Sequence, residues 1–587
     1  MKKITLLFAL ILSVYSVSGQ IFSEDFSSGV PPTGWTIDGQ AANWSQYDGA
    51  VGGGTAPKAH INWEPRFNGT SRLVSPTIDL TGETNVVLSF EHLYSYYGGP
   101  FSYGVATRSG GGAWNIVWTA VNQSVTENRK VLISNSDVGQ SDFQFCFFFT
   151  GDSYNINDIL LDDIILTQAN ALDAEMVSID NIPFFQPSNQ NIEGTITNQG
   201  YTPITSYDVT YNINNTGDSA TYSVTGVNIP FSQSNSFVHN VPYNFTTGTY
   251  NVVVTISNIN GQTDITDNNT LNKEFGVASQ STINRPLFEL FTSSSCGPCA
   301  GFNGNIFNPF MAQHNDITVV KYQSNGPSPG DPYYTPEVGV RSTYYGQNGV
   351  PQLYIGATDY AAAGYVPTQA NVDQGYNNET SKVSFFAPIN PTFSINGNEI
   401  TVNANITPYI SGNFKVFIAV VEKTTTGNVG SNGETSFEHV MMKMLPDASG
   451  EEINFSDGIS QTVNYTFDMS STFVEEMNDL AVAVFVQHED SKIVMQSGYV
   501  DTASVASVSN EILAFVKVYP NPTTGILNIK TDREISINIT DMLGRKVYHN
   551  NQIINNEQVD LSTMEKGMYI ITLSDGKQRA TQKIVLR

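Results

Sequence analysis

Two thiols two residues apart can close and reopen a disulfide, and residues 296–299 read Cys296-Gly297-Pro298-Cys299. An apolar run, Pro286-Leu287-Phe288-Glu289-Leu290-Phe291, precedes the pair, and Phe302, Ile306 and Phe310 follow it at helical spacing. The pair therefore lies between a strand and the start of a helix. A thiolate, not a thiol, attacks a disulfide. The unpaired N–H groups and dipole of a helix N-terminus favour negative charge, so Cys296 is the expected nucleophile. Cys299 lies one turn further in and is the expected resolving thiol, attacking the mixed disulfide on Cys296. Zinc would need two more ligands than the pair offers, and His314 stands alone nearby.

The elements that must position this pair read as a small α/β unit over 283–380. A strand at Leu287–Thr292 leads into the helix, and Ile317–Tyr322 is the next strand. A loop through Pro327, Pro329 and Pro332 comes before a helix near Pro336–Tyr345. Gly349-Val350-Pro351-Gln352-Leu353-Tyr354-Ile355 is a strand led in by proline, and a final helix completes the unit. Dithiol, helix and proline-led strand together resemble the thioredoxin fold. The resemblance implies a cis peptide before Pro351, packed against the dithiol, with the Val350 backbone free to pair with an extended substrate. It also implies that Gly297-Pro298 sets a reducing couple, nearer about −270 mV than about −120 mV. Two positions depart from the pattern. Ser293-Ser294-Ser295 stands where thioredoxins carry Trp, and their buried proton-accepting carboxylate lies six residues before the first cysteine, whereas Glu289 lies seven before. In a regular strand Glu289 faces the other side; a bulge would restore it to proton transfer.

Residues 383–500 return to β, with long strands at 414–422 and 480–487. Arg341, Tyr344-Tyr345 and Gly349-Val350-Pro351, followed by Glu438-His439-Val440-Met441-Met442-Lys443 and Gly450-Glu451-Glu452-Ile453, resemble a bacterial family of thioredoxin-like outer-membrane proteins. In that family a β-sandwich is associated with the dithiol domain.

Three further blocks carry no comparable chemistry. Residues 20–168 show short alternating runs broken by Gly-rich turns, the pattern of an antiparallel sandwich. Glu24-Asp25-Phe26, Pro32-Thr33-Gly34-Trp35, Ser71-Arg72-Leu73-Val74-Ser75-Pro76 and Leu161-Asp162-Asp163-Ile164 resemble the jelly-roll cleaved-adhesin and MAM-like modules of bacterial surface proteins. That resemblance implies adjoining first and last strands, with structural calcium at Asp25 and Asp163; solvated carboxylates are the other reading. Trp44 and Trp63, in polar contexts, are the surface candidates for stacking on sugar rings, with core packing as the alternative. Cys146, inside a run of five phenylalanines, reads as a buried apolar residue. Residues 170–277 resemble an immunoglobulin-like sandwich, and 501–514 read as a linker. Residues 515–587 carry ten basic and seven acidic residues, a balance of +3. Val518-Tyr519-Pro520-Asn521-Pro522, Asp541-Met542-Leu543-Gly544-Arg545 and Lys566-Gly567-Met568-Tyr569 there resemble the type A C-terminal sorting domain of the type IX secretion system. This implies passage through the periplasm and across the outer membrane, with that secretion machinery as a partner.

The whole chain agrees with export. At 587 residues it has length for about four domains. Lys2, Lys3, the apolar run Ile4–Val14 and Val17-Ser18-Gly19 read as a signal peptide over residues 1–19. That run is too short to span a membrane, and no other stretch qualifies. A net charge of −27 disfavours nucleic acid as a partner. Charged residues are only 14% of the chain, and Asn, Ser, Thr and Gly supply the polar surface, as in secreted β-rich modules. The expected fold is multidomain and mostly β, with jelly-roll and immunoglobulin-like sandwiches and one α/β thioredoxin-like domain. Two functions stay open. One is a secreted or cell-surface thiol-disulfide oxidoreductase acting on exported proteins through Cys296 and Cys299, with Val350 and Pro351 at the substrate and no cofactor required. The other is a non-enzymatic adhesin, binding surface glycans or host or matrix proteins, whose Cys296–Cys299 disulfide is structural.

Overall fold

The computed structural model describes residues 19–503 and 516–587, apart from 50, 53, 214–217, 265–266, 361–365, 532, 543–544 and 576–578. The signal segment before Gly19 and most of the 501–514 linker lie outside the described residues. Strands dominate, as the β-branched and aromatic alternation requires. The chain divides into two units, one up to Phe275 and one from Gly276 onward.

In the first unit, residues 20–168 form two facing sheets of six and five strands. Strand Gln144–Asp152 shows how the sequence sorts itself between core and outer face. Phe143, Phe145, Phe147 and Phe149 enter the shared core. The alternate residues Cys146 and Phe148 pack outward with Val74, Ala106 and Trp114. The first strand, Gln20–Glu24, runs antiparallel to the last, Ile156–Gln168, with Glu24 opposite Ile164. Residues 174–277 build further antiparallel sheets of three, five and two strands.

In the second unit, the segment that carries the dithiol and the segment after it share one nine-stranded sheet. Its members are β1 (Leu287–Thr292), β2 (Thr318–Gln323), β3 (Gln352–Ile355), β4 (Thr358–Asp359), β5 (Gly412–Thr425), β6 (Phe437–Leu445), β7 (Glu451–Phe455), β8 (Leu480–Gln487) and β9 (Val494–Val500). The order is β4-β3-β1-β2-β6-β5-β8-β9, with β7 also on β5. β1 and β2 are parallel, and β2 meets β6 in parallel where Lys321 stands opposite Val440.

Helix α1 (Gly297–Phe302) begins a helical run that widens into one π-type turn, Asn303–Phe307, before Asn308–Met311. Pro309 lacks an N–H and would clash with the carbonyl four residues back, which accounts for the wide turn. Helices α2 (Pro336–Tyr345) and α3 (Gln369–Thr380) complete the unit's helices. Phe288 and Leu290 of β1 face α1, packing on Phe302, Phe307 and Phe310. Leu287 and Phe291 face α2, packing on Val338 and on Phe417 of β5. Residues 516–587 form two antiparallel sheets of three and four strands around Leu527, Ile529, Ile539, Ile571 and Leu573.

Candidate functional site

β1 ends at Thr292, and the chain turns through Ser293–Ser295 into α1. Cys296 N–H donates to Ser293 O at 3.0 Å and Ser294 N–H to Asp331 Oδ2 at 2.8 Å, which fixes the turn. Cys296 takes the N-cap position in extended conformation, and Cys299 N–H points at its sulfur at 3.2 Å. The two sulfurs are bonded at 2.05 Å. Cys299 is fully buried and Cys296 is 2% exposed. The Val350–Pro351 peptide is cis. Val350 O lies 3.5 Å from Cys296 Sγ; a disulfide sulfur carries no proton, so this is a contact and not a hydrogen bond. A groove of about 710 Å³ opens beside the disulfide, walled by Pro298, Pro327, Tyr334, Val338 and Val350.

The loop between β5 and β6 straps this turn from the sandwich side. Asn432 N–H donates to Ser294 O at 2.9 Å, and its side-chain amide to Ser293 O at 3.2 Å and to Cys296 O at 3.3 Å. Gly430 passes so near that a Cβ there would come within 2.4 Å of Ser294 O. The Glu475 carboxylate pins the base of the strap, accepting from Thr426 N–H and Gly427 N–H. Sequence reasoning missed this strap. Its Gly, Asn and Ser content resembles any surface turn.

Glu289 lies on the face of β1 away from the dithiol helix, where strand alternation puts it. Its carboxylate accepts from Arg341 Nη2 at 2.7 Å and Tyr322 Oη at 2.8 Å, and also from the Tyr345 hydroxyl. Glu289 and Arg341 are both about 1% exposed. Four rings surround the guanidinium, Phe417 nearest at 4.6 Å and Phe485 at 5.5 Å, with Tyr344 and Tyr345 between. Burial alone would lower the Arg341 pKa, but Glu289 and the two facing tyrosine hydroxyls raise it, so it stays charged.

In the first unit, Cys146 is buried and free, and burial pushes its thiol up to about 12. Trp44, expected as a surface candidate, is instead in the core; its Nε1–H is satisfied by Ser71 Oγ at 2.8 Å. Asp25 accepts from Ser27 N–H at 3.0 Å and Ser27 Oγ at 2.6 Å. Asp163 sits in left-handed conformation (φ 47°). Burial raises its carboxyl pKa, with Glu91 and Asp25 adding negative charge. Among the described residues no group of three or more acidic, His or Cys side chains is placed to hold a metal ion.

Trp63 does reach the surface, in company. Trp63 follows strand Lys58–Asn62, Tyr97 follows Val86–Tyr96, and Tyr154 lies in the turn after Gln144–Asp152. The Trp63 and Tyr154 rings meet edge-on at 5.8 Å, and Tyr154 and Tyr97 at 5.5 Å. They remain 38%, 47% and 61% exposed for Trp63, Tyr154 and Tyr97. Hydrogen bonds to main-chain carbonyls hold the three loops together. Ser153 Oγ–H donates to Trp63 O at 2.8 Å, and Tyr97 N–H to Asn155 O at 3.0 Å. Arg66 lies 5.2 Å from the Tyr154 ring centre and pairs with Asp152, Nε to Oδ1 at 2.9 Å. Tyr97 and Tyr154 carried no sequence signal beyond an aromatic at a strand end.

Comparison with known proteins locates two families within the chain. Residues 517–587 match the secretion system C-terminal sorting domain, and residues 341–504 match outer membrane protein Omp28. The sorting domain marks the protein for type IX export to the cell surface or beyond it, and no helix among the described residues is long and apolar enough to cross a membrane. No curated protein matches the chain. Among solved structures, a protein of Agrobacterium tumefaciens is 17% identical, covering 39% of this chain and 99% of its own, with a TM-score of 0.27. The K3 cleaved adhesin domain of Lys-gingipain from Porphyromonas gingivalis is 20% identical, covering 25% and 99%, with a TM-score of 0.20. A family 16 carbohydrate binding module is 18% identical, covering 25% and 99%, with a TM-score of 0.19. At these scores none of the three bears on what the chain does.

Proposed function

We propose that this exported protein is a surface binding protein that holds glycan on the Trp63–Tyr154–Tyr97 patch. The observation that carries the reading is three rings from three loops, fixed by hydrogen bonds to main-chain carbonyls yet left exposed. Aromatic side chains that are not buried mark recognition surfaces. Sugar rings offer apolar faces for stacking and hydroxyls for hydrogen bonds, and Arg66 and Asp152 supply donors and acceptors beside the rings. Prior ordering of the loops lowers the entropy lost on binding. The net charge of −27 argues against a polyanionic ligand. Glycan-array binding by the secreted full chain tests this, with Trp63→Ala as comparison. The expected result is retention of a defined glycan set, with at least about a tenfold loss in the variant, the size of one hot-spot contact. Equal binding by both proteins would end the reading.

A second reading is favoured by the position of Cys296 at the mouth of the groove. Residues 283–380 are proposed as a thioredoxin-like unit that exchanges disulfides with exported proteins. The N-cap cysteine, the buried Cys299 and the Val350 carbonyl beside the sulfur support it. Insulin reduction by the full chain with dithiothreitol tests it; a rate no higher than that of Cys296→Ser would dismiss protein reduction. Calcium at Asp25 and Asp163 is also proposed, because the paired end strands gather negative charge there. A chelator is then expected to lower the melting temperature of the full chain, and an unchanged transition would remove calcium from the account.

A further inference from the structure

On the sheet face opposite Glu289, the face that packs on the dithiol helix, polar side chains collect where an apolar core is expected. Thr292, Asn303, Lys321 and Gln323 are all at most 3% exposed. Geometry places them together. Thr292 and Gln323 are partners across β1 and β2, and Lys321, two residues earlier, shares their face. Asn303 follows Cys299 by four residues and so lies on the same side of the helical run. Asn303 Nδ2 donates to Thr292 Oγ1 at 3.1 Å, and Lys321 Nζ to Asn308 Oδ1 at 2.6 Å. Asn303 Oδ1, both amide atoms of Gln323 and Ser324 Oγ find no partner among the described residues. Buried polar atoms of this kind are met by enclosed water.

One carboxylate is bonded into this cluster, and it comes from the strap. Glu434 Oε1 accepts from Asn303 Nδ2 at 3.0 Å, and its Oε2 accepts from Asn432 Nδ2 at 2.6 Å. Asn432 is the residue bonded to the Cys296 carbonyl. The strap thus touches the backbone of one cysteine and the helix face of the other. The remaining charged and titratable neighbours are Lys321 on β2, Glu438 and His439 on β6 and Lys423 on β5, with Asp331 bonded to the turn at Ser294. Burial pushes Lys321 down to about 8, and burial together with Lys321 and Lys423 pushes His439 down to about 4. Glu289 and Arg341 are closed off on the other face.

We propose that Glu434, acting through Asn303 and enclosed water, is the residue by which the buried Cys299 thiol gains and loses its proton. The proposal rests on the redox reading of the dithiol. A thiolate of a partner dithiol attacks Cys296 Sγ, the Cys296–Cys299 bond breaks, and Cys299 leaves as a thiolate. That thiolate has no direct access to solvent, and its proton arrives from solvent by way of Glu434. The partner's second thiol loses its proton to solvent and attacks the partner sulfur of the mixed disulfide, releasing Cys296 as a thiolate. The partner is oxidised by two electrons and the protein disulfide is reduced by two. In the reverse direction Cys299 gives its proton back along the same route. Glu434 is a positioning residue in this scheme, since it reaches the sulfur only through others.

The test is the thiol–disulfide equilibrium and exchange rate of the full chain in dithiothreitol buffers from about pH 5 to about pH 9, read by alkylation and mass. Glu434→Gln removes a negative charge near Cys299, so the thiolate is favoured and the apparent thiol pKa should fall by about one unit. Exchange at neutral pH should slow about tenfold. Glu434→Asp should restore the profile, and Asn303→Ser, which interrupts the same route, should slow exchange as Glu434→Gln does. A Glu434→Gln profile that overlays the parent overturns the proposal; where that variant does not fold, a parent-like Asn303→Ser profile does so. If the parent exchanges with dithiothreitol but does not reduce insulin, protein reduction is dismissed while the pH profiles still decide the role of Glu434.

Discussion

The two faces of strand β1 carry polar groups of opposite design. Toward α2, Glu289, Arg341, Tyr322 and Tyr345 close on one another, and the guanidinium is walled by aromatic rings. Toward α1, in the cluster of Thr292, Gln323, Lys321 and Asn303, both Gln323 amide atoms and Asn303 Oδ1 are without a partner among the described residues. Glu289 and Arg341 are as buried as Lys321 and Gln323, so burial alone does not mark a working site. A network whose carboxylate and guanidinium are bonded to each other is a fastening, even with Arg341 Nε left without a partner among the described residues. One left with open donors and acceptors invites water and with it proton traffic. The contrast also explains why Glu289, the carboxylate nearest the dithiol in sequence, belongs to the fastening.

Substitutions can break this contrast. Arg341→Leu leaves Glu289 charged and unpaired in the interior and should cost about 3–5 kcal/mol, measured by denaturant unfolding of the full chain. Replacing both partners, Glu289→Leu with Arg341→Leu, should recover much of that loss, because two apolar side chains remove both desolvation penalties. A double variant as unstable as the single one would show that the pair does more than fasten. On the other face, Gln323→Leu should change stability by less than about 1 kcal/mol in either direction, since its amide atoms make no hydrogen bond among the described residues. A large loss there would place Gln323 in a satisfied network and erase the difference between the faces.

Local signals were legible where they are strong. The apolar run before the dithiol is β1, and the sequence pattern placed α2 at Pro336–Tyr345, where the structure has it. The side chosen by Glu289 follows from counting along the strand, but its partner lies 52 residues away and no local pattern announces it. The junction at Lys321 and Val440 is a parallel pairing across more than a hundred residues, invisible to periodicity. Trp44 misled because polar neighbours in sequence say nothing of Ser71, which satisfies its indole inside the core. Asn432 and Glu434 sit in a loop whose composition reads as solvent-facing, and only the fold brings it over the cysteines.

The parallel join between β2 and β6 has a consequence for how this molecule can be taken apart. Cutting after α3 would bare the backbone edge of β2, a row of unpaired donors and acceptors that invites aggregation, and would strip Asn432 from the cysteine turn. The dithiol segment is therefore not a cassette that can be lent to another protein or borrowed from one. Its sheet is completed by the sandwich, in contrast to the N-terminal and sorting sandwiches, whose sheets draw only on their own segments. A change on β6 is in this sense a change to the cysteines' surroundings, made more than a hundred residues from them along the chain.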